Sequence, residues 1–127
     1  SGLLGISGVS NDMRNLRAQA DAGNKRAQLA IDIFCYRIKR YIGAYTAVVG
    51  RLDAIVFTGG IGENAPDVRF QSCGGLEQIG VDIDAELNKN TIRKEGTIST
   101  ADSRVKVFVI PTNEELAIAQ DTFVLTK

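Results

Sequence analysis

Leu52-Asp53-Ala54-Ile55-Val56-Phe57-Thr58-Gly59-Gly60-Ile61-Gly62-Glu63-Asn64 passes from a buried-strand composition straight into a glycine-rich turn. The apolar, β-branched run from Ala54 to Phe57 suits a strand of a sheet covered on both faces. Gly59, Gly60 and Gly62 then remove side chains in quick succession, so the backbone is free to take positive φ and to approach a ligand closely. A loop of this kind presents N–H groups and can cradle a phosphate. Glycine turns also close strands for purely structural reasons, and the spacing alone leaves both readings open.

Working outward, a second strand is expected at Val105 to Ile110, ended by Pro111, which cannot donate to a ladder. Thr112-x-x-Glu115 matches a capping box and predicts a helix from Glu114 to about Phe123, with Leu116, Ala117 and Ala119 on its apolar face. Upstream, Ser10-Asn11-Asp12 supplies N-cap candidates for a short helix from Met13 to Ala22, stopped by Gly23-Asn24. From Lys25 to about Gly50, apolar residues recur at three- and four-residue steps, including Phe34, Ile38, Tyr41, Ile42, Tyr45 and Val48. That pattern predicts an amphipathic helix about 35 to 40 Å long with its aromatics in the core. Pro66 opens a further helix to Cys73, with a continuation towards Ile79 put in doubt by Gly74-Gly75. Val81 to Ile83 and Thr97 to Ser99 read as short strands around a partly helical segment from Asp84 to Asn90. Strands alternating with helices imply an α/β layer arrangement with the ligand at the carboxyl ends of the strands. Both strong turns, Thr58 to Asn64 and Pro111 to Glu115, leave such an end.

The bulk numbers narrow the function. At 127 residues and 44% hydrophobic content, one core is expected and therefore one domain over 1–127. Fifteen Lys plus Arg balance fifteen Asp plus Glu, so no net field draws in nucleic acid or an anionic membrane. Cys35 and Cys73 lack a CxxC spacing, which argues for buried free thiols rather than zinc or a disulfide framework. With no leader-like start and no apolar run of bilayer length, a cytoplasmic location is expected. The absence of histidine excludes Ser-His-Asp and Cys-His chemistry within this chain.

Three stretches together resemble the acetate kinase family: SGLLGISGVSNDMR (1–14), DAIVFTGGIGENAPDVR (53–69) and VIPTNEELAIAQDT (109–122). Phe57 to Asn64 with Pro111 to Leu116 is shared with the closely related propionate kinases. The resemblance implies the ribonuclease H-like, actin-like ATPase fold of sugar kinases and chaperone ATPases, here as a partial C-terminal domain. It implies reversible transfer of the γ-phosphoryl of ATP to acetate, giving acetyl phosphate and ADP, with magnesium, in a homodimeric full-length enzyme. The chain resembles the C-terminal third of such enzymes, so an isolated piece is expected to lack turnover. By the same resemblance, helix 116–127 packs towards an N-terminal domain.

Residue by residue, the resemblance puts Asp12, Met13 and Arg14 at the adenosine, wraps Gly60, Ile61, Gly62, Glu63 and Asn64 around the nucleotide, and gives Glu114 to magnesium. Each has a plainer reading. Asp12 fits as a helix cap and Arg14 as a solvated charge, although a guanidinium can also lie against an adenine ring. Glu63 and Asn64 would otherwise be ordinary turn residues. Glu115 fits the capping-box slot, leaving Glu114 free for a hard cation that keeps several waters and needs few protein ligands. A stand-alone adenine-nucleotide binder is the rival reading from outside catalysis.

Overall fold

The computed structural model describes residues 12–112 and 122–125. The described chain falls into two compact units, 1–38 and 39–127.

In the first unit, helix α1 (Met13–Asp21) opens on Asp12, whose carboxylate accepts from the Arg14 N–H at 2.9 Å. It closes as the glycine predicts. Gly23 adopts φ 100°, its N–H donating to Ala20 O at 2.9 Å and that of Asn24 to Gln19 O at 2.9 Å. This is the paired return that left-handed glycines make possible at helix ends. Asn24 then turns its side chain to the next helix, its Oδ1 accepting from Ala27 N at 3.1 Å.

Helix α2 (Lys25–Val49) starts in the first unit and ends in the second. Ala27, Ala30, Ile31, Cys35, Ile38 and Ile42 are buried at the expected three- and four-residue steps. The aromatics depart from expectation. Tyr36, Tyr41 and Tyr45 are exposed, and Val48 is 82% exposed. Periodicity identifies residues that share a helix face; it does not say how far along the helix that face is covered.

In the second unit, β1 (Ala54–Phe57) lies inside a four-stranded sheet with β2 (Gly96–Thr97), β3 (Lys106–Val109) and β4 (Thr122–Leu125), in the order β2-β3-β1-β4. Parallel β3 pairs Ala54 with Lys106 and Phe57 with Val109, and parallel β4 pairs Ala54 with Thr122 and Phe57 with Leu125. β2 runs antiparallel to β3. Ile55, Val56 and Phe57 are fully buried, the signature of a strand covered on both faces. Val81 and Ile83 enter only as single bridges, to Val105 and Ser99.

β4 corrects the expectation of a helix reaching Phe123 and of one spanning 116–127. Thr122-Phe123-Val124 is a β-branched and aromatic run, and pairing it beside β1 satisfies that strand's second edge. Leu116, Ala117 and Ala119, and the capping-box Glu115, lie outside the described residues.

Between β1 and β3 come α3 (Gly59–Asn64), α4 (Pro66–Cys73), a 3-10 turn (Glu77–Ile79) and α5 (Ala85–Asn90). Pro66 stands in the first turn of α4, and the chain leaves the helix at Gly74 without continuing to Ile79. Asp84 caps α5, its carboxylate accepting from Glu86 N and Leu87 N at 3.0 Å each.

Candidate functional site

The glycine segment is not the open turn its composition suggests. After Thr58 the backbone swings through Gly59 at φ 77° and winds at once into the six-residue helix α3. Only Gly59 uses the left-handed freedom. Gly62 is there for space: a Cβ on it would stand 3.1 Å from the carbonyl carbon of Phe57, tighter than ordinary van der Waals contact. Its absence lets α3 fold back against the carboxyl end of β1. Gly60 and Asn64 are exposed, Ile61 and Glu63 are half-buried, and Asn64 Nδ2 donates to Gly60 O at 2.8 Å.

The turn after β3 lies alongside. The Ile110 N–H donates to Phe57 O at 3.0 Å, which holds the outgoing chain against the end of β1. Two residues later, Thr112 Oγ1 donates to Glu63 Oε2 at 3.3 Å. The two strand exits that sequence reasoning singled out therefore meet through side chains. Glu114, the expected magnesium ligand, lies outside the described residues. Among the described residues no group of three or more His, Cys, Asp or Glu side chains could hold a metal.

Asp12, Met13 and Arg14 belong to the first unit and Gly60 to Asn64 to the second. Asp12 takes the capping role that its plainer reading assigned. The backbone N–H of Arg14, then its guanidinium, hold the Asp12 carboxyl below the usual carboxylate range. Arg14 Nη2 stands 3.5 Å from Asp12 Oδ2 in an exposed pair, which screening makes nearly neutral in stability. The Met13 side chain is buried.

Sequence reasoning missed Arg69. Its side chain is fully buried, and its guanidinium makes four hydrogen bonds: Nη1 to Gly62 O and Nη2 to Asn88 O at 2.8 Å each, Nη2 to Thr91 O at 2.6 Å, and Nε to Asn88 Oδ1 at 2.8 Å. Burial lowers its pKa to about 10, so it stays charged at neutral pH. Asn88 Nδ2 donates to Pro66 O at 2.8 Å, and the Arg93 N–H to Glu63 O at 3.0 Å. A signal did exist: Ala65, Arg69 and Cys73 stand at four-residue steps, which puts the charge on the inner side of α4. Two hydroxyls in this unit, Thr58 Oγ1 and Ser72 Oγ, are buried with no partner.

The profile of the acetokinase family matches residues 1–120. The chain belongs to the acetokinase family. It is 55% identical over its whole length to an acetate kinase of Heliobacterium modesticaldum and 54% identical to one of Finegoldia magna, covering 32% of each. The chain thus spans about a third of the length of these relatives. An acetate kinase structure from Porphyromonas gingivalis superposes with a TM-score of 0.87 at 46% identity, over 91% of this chain and 29% of that one. A propionate kinase from Francisella tularensis gives 0.79 at 45% identity, over 95% and 30%. The fold is accordingly the α/β, ribonuclease H-like fold of the actin-like ATPases, present in part. Among the described residues, no helix is long and apolar enough to cross a membrane.

Proposed function

We propose that this acetokinase chain supplies the nucleotide side of an enzyme that reversibly transfers a phosphoryl group from ATP to acetate, forming acetyl phosphate and ADP. The observation that carries this reading is the Thr112 to Glu63 hydrogen bond of 3.3 Å, which joins the turns leaving parallel strands β1 and β3. Ligands of open α/β sheets bind at such carboxyl ends. In this reading Gly60, Ile61, Gly62, Glu63 and Asn64 wrap the nucleotide, while Asp12, Met13 and Arg14 contact its adenosine, Met13 through main-chain atoms because its side chain is buried.

The side-chain-free surface at Gly60 fits a ligand that must lie close to backbone. Magnesium bound with the nucleotide would offset phosphate charge, and Glu114 would hold it; one carboxylate beside the phosphates is a sufficient protein share for so hydrated an ion. The acceptor pocket and the cations that clamp the transferring phosphoryl group belong to the remainder of a full-length enzyme. The chain alone therefore binds nucleotide without turning it over.

Calorimetric titration of the chain with Mg-ADP tests the reading. Binding is expected, and Gly60→Val should abolish it while leaving the thermal midpoint nearly unchanged, since Gly60 is exposed. Equal binding by both proteins would make the glycine a structural turn only, and absence of binding by the unaltered chain would remove the nucleotide reading. Appreciable acetate phosphorylation by the chain alone would overturn its assignment as one side of a larger site. A second reading, propionate as acceptor, is favoured by the 45% identity to the Francisella propionate kinase. Acetate and propionate assays of the full-length enzyme separate the two.

A further inference from the structure

We propose that Arg69 is a positioning residue for the nucleotide turn, setting the pose of Glu63 and Asn64 through the Gly62 carbonyl without touching the ligand. The inference rests on the nucleotide reading above.

The glycines create the difficulty that Arg69 resolves. Gly59 and Gly60 give the backbone room to approach a ligand and Gly62 lets α3 pack on Phe57, but together they leave α3 with little side-chain packing and high conformational freedom. A six-residue helix of composition GGIGEN is far below the length at which helices hold themselves together. Something outside it must fix its geometry. Arg69 Nη1 takes the Gly62 carbonyl at 2.8 Å, while the rest of the guanidinium is spent on Asn88 O, Asn88 Oδ1 and Thr91 O, on and just beyond α5.

The planar fork thereby measures the separation between α3 and the 88–91 segment. The Arg93 N–H closes the same loop from the other side by donating to Glu63 O at 3.0 Å. Glu63 and Asn64, whose side chains face the turn after β3 and Gly60 O, are thus suspended between two anchors contributed by distant sequence. A full positive charge buried without contact to solvent is costly, and here four of the five guanidinium N–H groups donate to buried acceptors. Placing one behind the glycine turn gives that turn the rigidity a close-fitting anion site needs.

Arg69→Lys tests this directly, because an ammonium keeps the charge but lacks the fork that reaches Gly62 O and the 88–91 carbonyls together. Amide hydrogen exchange of the unliganded chain should accelerate roughly tenfold across Gly62 to Ala65 and at Arg93, with β1 and β3 amides unchanged. Mg-ADP affinity should fall by a similar factor. Acceleration spread evenly over the sheet, unchanged exchange in the turn, or a loosened turn with undiminished affinity would each overturn the proposal. Should the unaltered chain fail to bind Mg-ADP, the nucleotide reading falls, and the exchange arm still decides whether Arg69 holds the turn.

If Arg69→Lys does not fold, Asn88→Asp and Asn88→Leu replace it. Both lose the donation to Pro66 O, but only the aspartate still accepts from Arg69 Nε. The leucine variant alone should loosen the turn and weaken Mg-ADP binding; equal effects from the two would overturn the assignment.

Discussion

Two arginines brace the chain on either side of β1, and they do so at very different burial. At the amino end, Arg104 donates to Leu52 O at 3.1 Å and to Ile79 O at 2.7 Å from an exposed position. At the carboxyl end, fully buried Arg69 donates to Gly62 O and to three acceptors around Asn88 and Thr91. Water can replace the first clamp. It cannot reach the second. The costlier device stands where the chain must hold a glycine-rich turn in one conformation, and the cheaper one where a strand merely begins. The difference gives the turn after β1 the more rigid support, on energetic grounds and independently of any resemblance.

The largest effect should come from Arg69→Leu, which strands two main-chain carbonyls beside α5, the Gly62 carbonyl and the Asn88 amide without their donor. Leaving a buried acceptor without its donor costs about 1 to 3 kcal/mol, so with several stranded at once chemical denaturation should show a loss of about 3 kcal/mol or more. A loss below about 1 kcal/mol, the range of an exposed hydrogen bond, would erase the contrast between the two clamps. Gly62→Ala comes next. Its Cβ would sit 3.1 Å from the Phe57 carbonyl carbon, a neighbour that is backbone and yields little. Overpacking of this kind costs about 1 to 3 kcal/mol, and the same measurement should find the loss without any change in net charge.

β1, β3 and the boundaries of α1 and α4 were legible because each is written in adjacent residues: a β-branched run, a glycine after a helix, a proline at its first turn. What the sequence concealed was non-local. Arg69 meets partners 19 and 22 residues further on, and nothing near it in the chain announces them. A charge in a helix reads by default as solvated, and only the four-residue line through Ala65 and Cys73 spoke otherwise. The strand at Thr122–Leu125 was hidden for a related reason. Thr112-x-x-Glu115 is a strong local helix signal, whereas the need of β1 for a second partner arises only once the sheet is assembled. The nearness of the two turns was legible from strand exits alone; the Glu63 to Thr112 contact that joins them was not.

Arg104→Ala sharpens the comparison from the weak side. Its bond to Ile79 O is exposed and that to Leu52 O part-buried, and the arginine itself lies at the surface, so water can enter in its place and the expected cost is about 0.5 to 1.5 kcal/mol. Gly80 lies under this side chain, its hypothetical Cβ 2.9 Å from Arg104 Nε, so the substitution also opens space at a residue with φ 93°. A thermal melt should show a shift of about 2 to 8 °C for a chain of this size.

The smallest effect on stability belongs to Thr112→Val, and it is the most informative about function. The hydroxyl bond to Glu63 is long at 3.3 Å and exposed, so its loss should change the unfolding free energy by only about 0.5 kcal/mol. Valine keeps the shape and β-branching of threonine, which leaves the local backbone preference intact. If the pairing of the two turns matters only for the fold, Mg-ADP titration will show the same weak response as the melt. If the pairing sets the spacing across which a nucleotide is held, affinity should fall several-fold while the melt barely moves. Arg69 fixes one wall of that space from behind, and Thr112 tests whether the opposite wall needs to be tied to it.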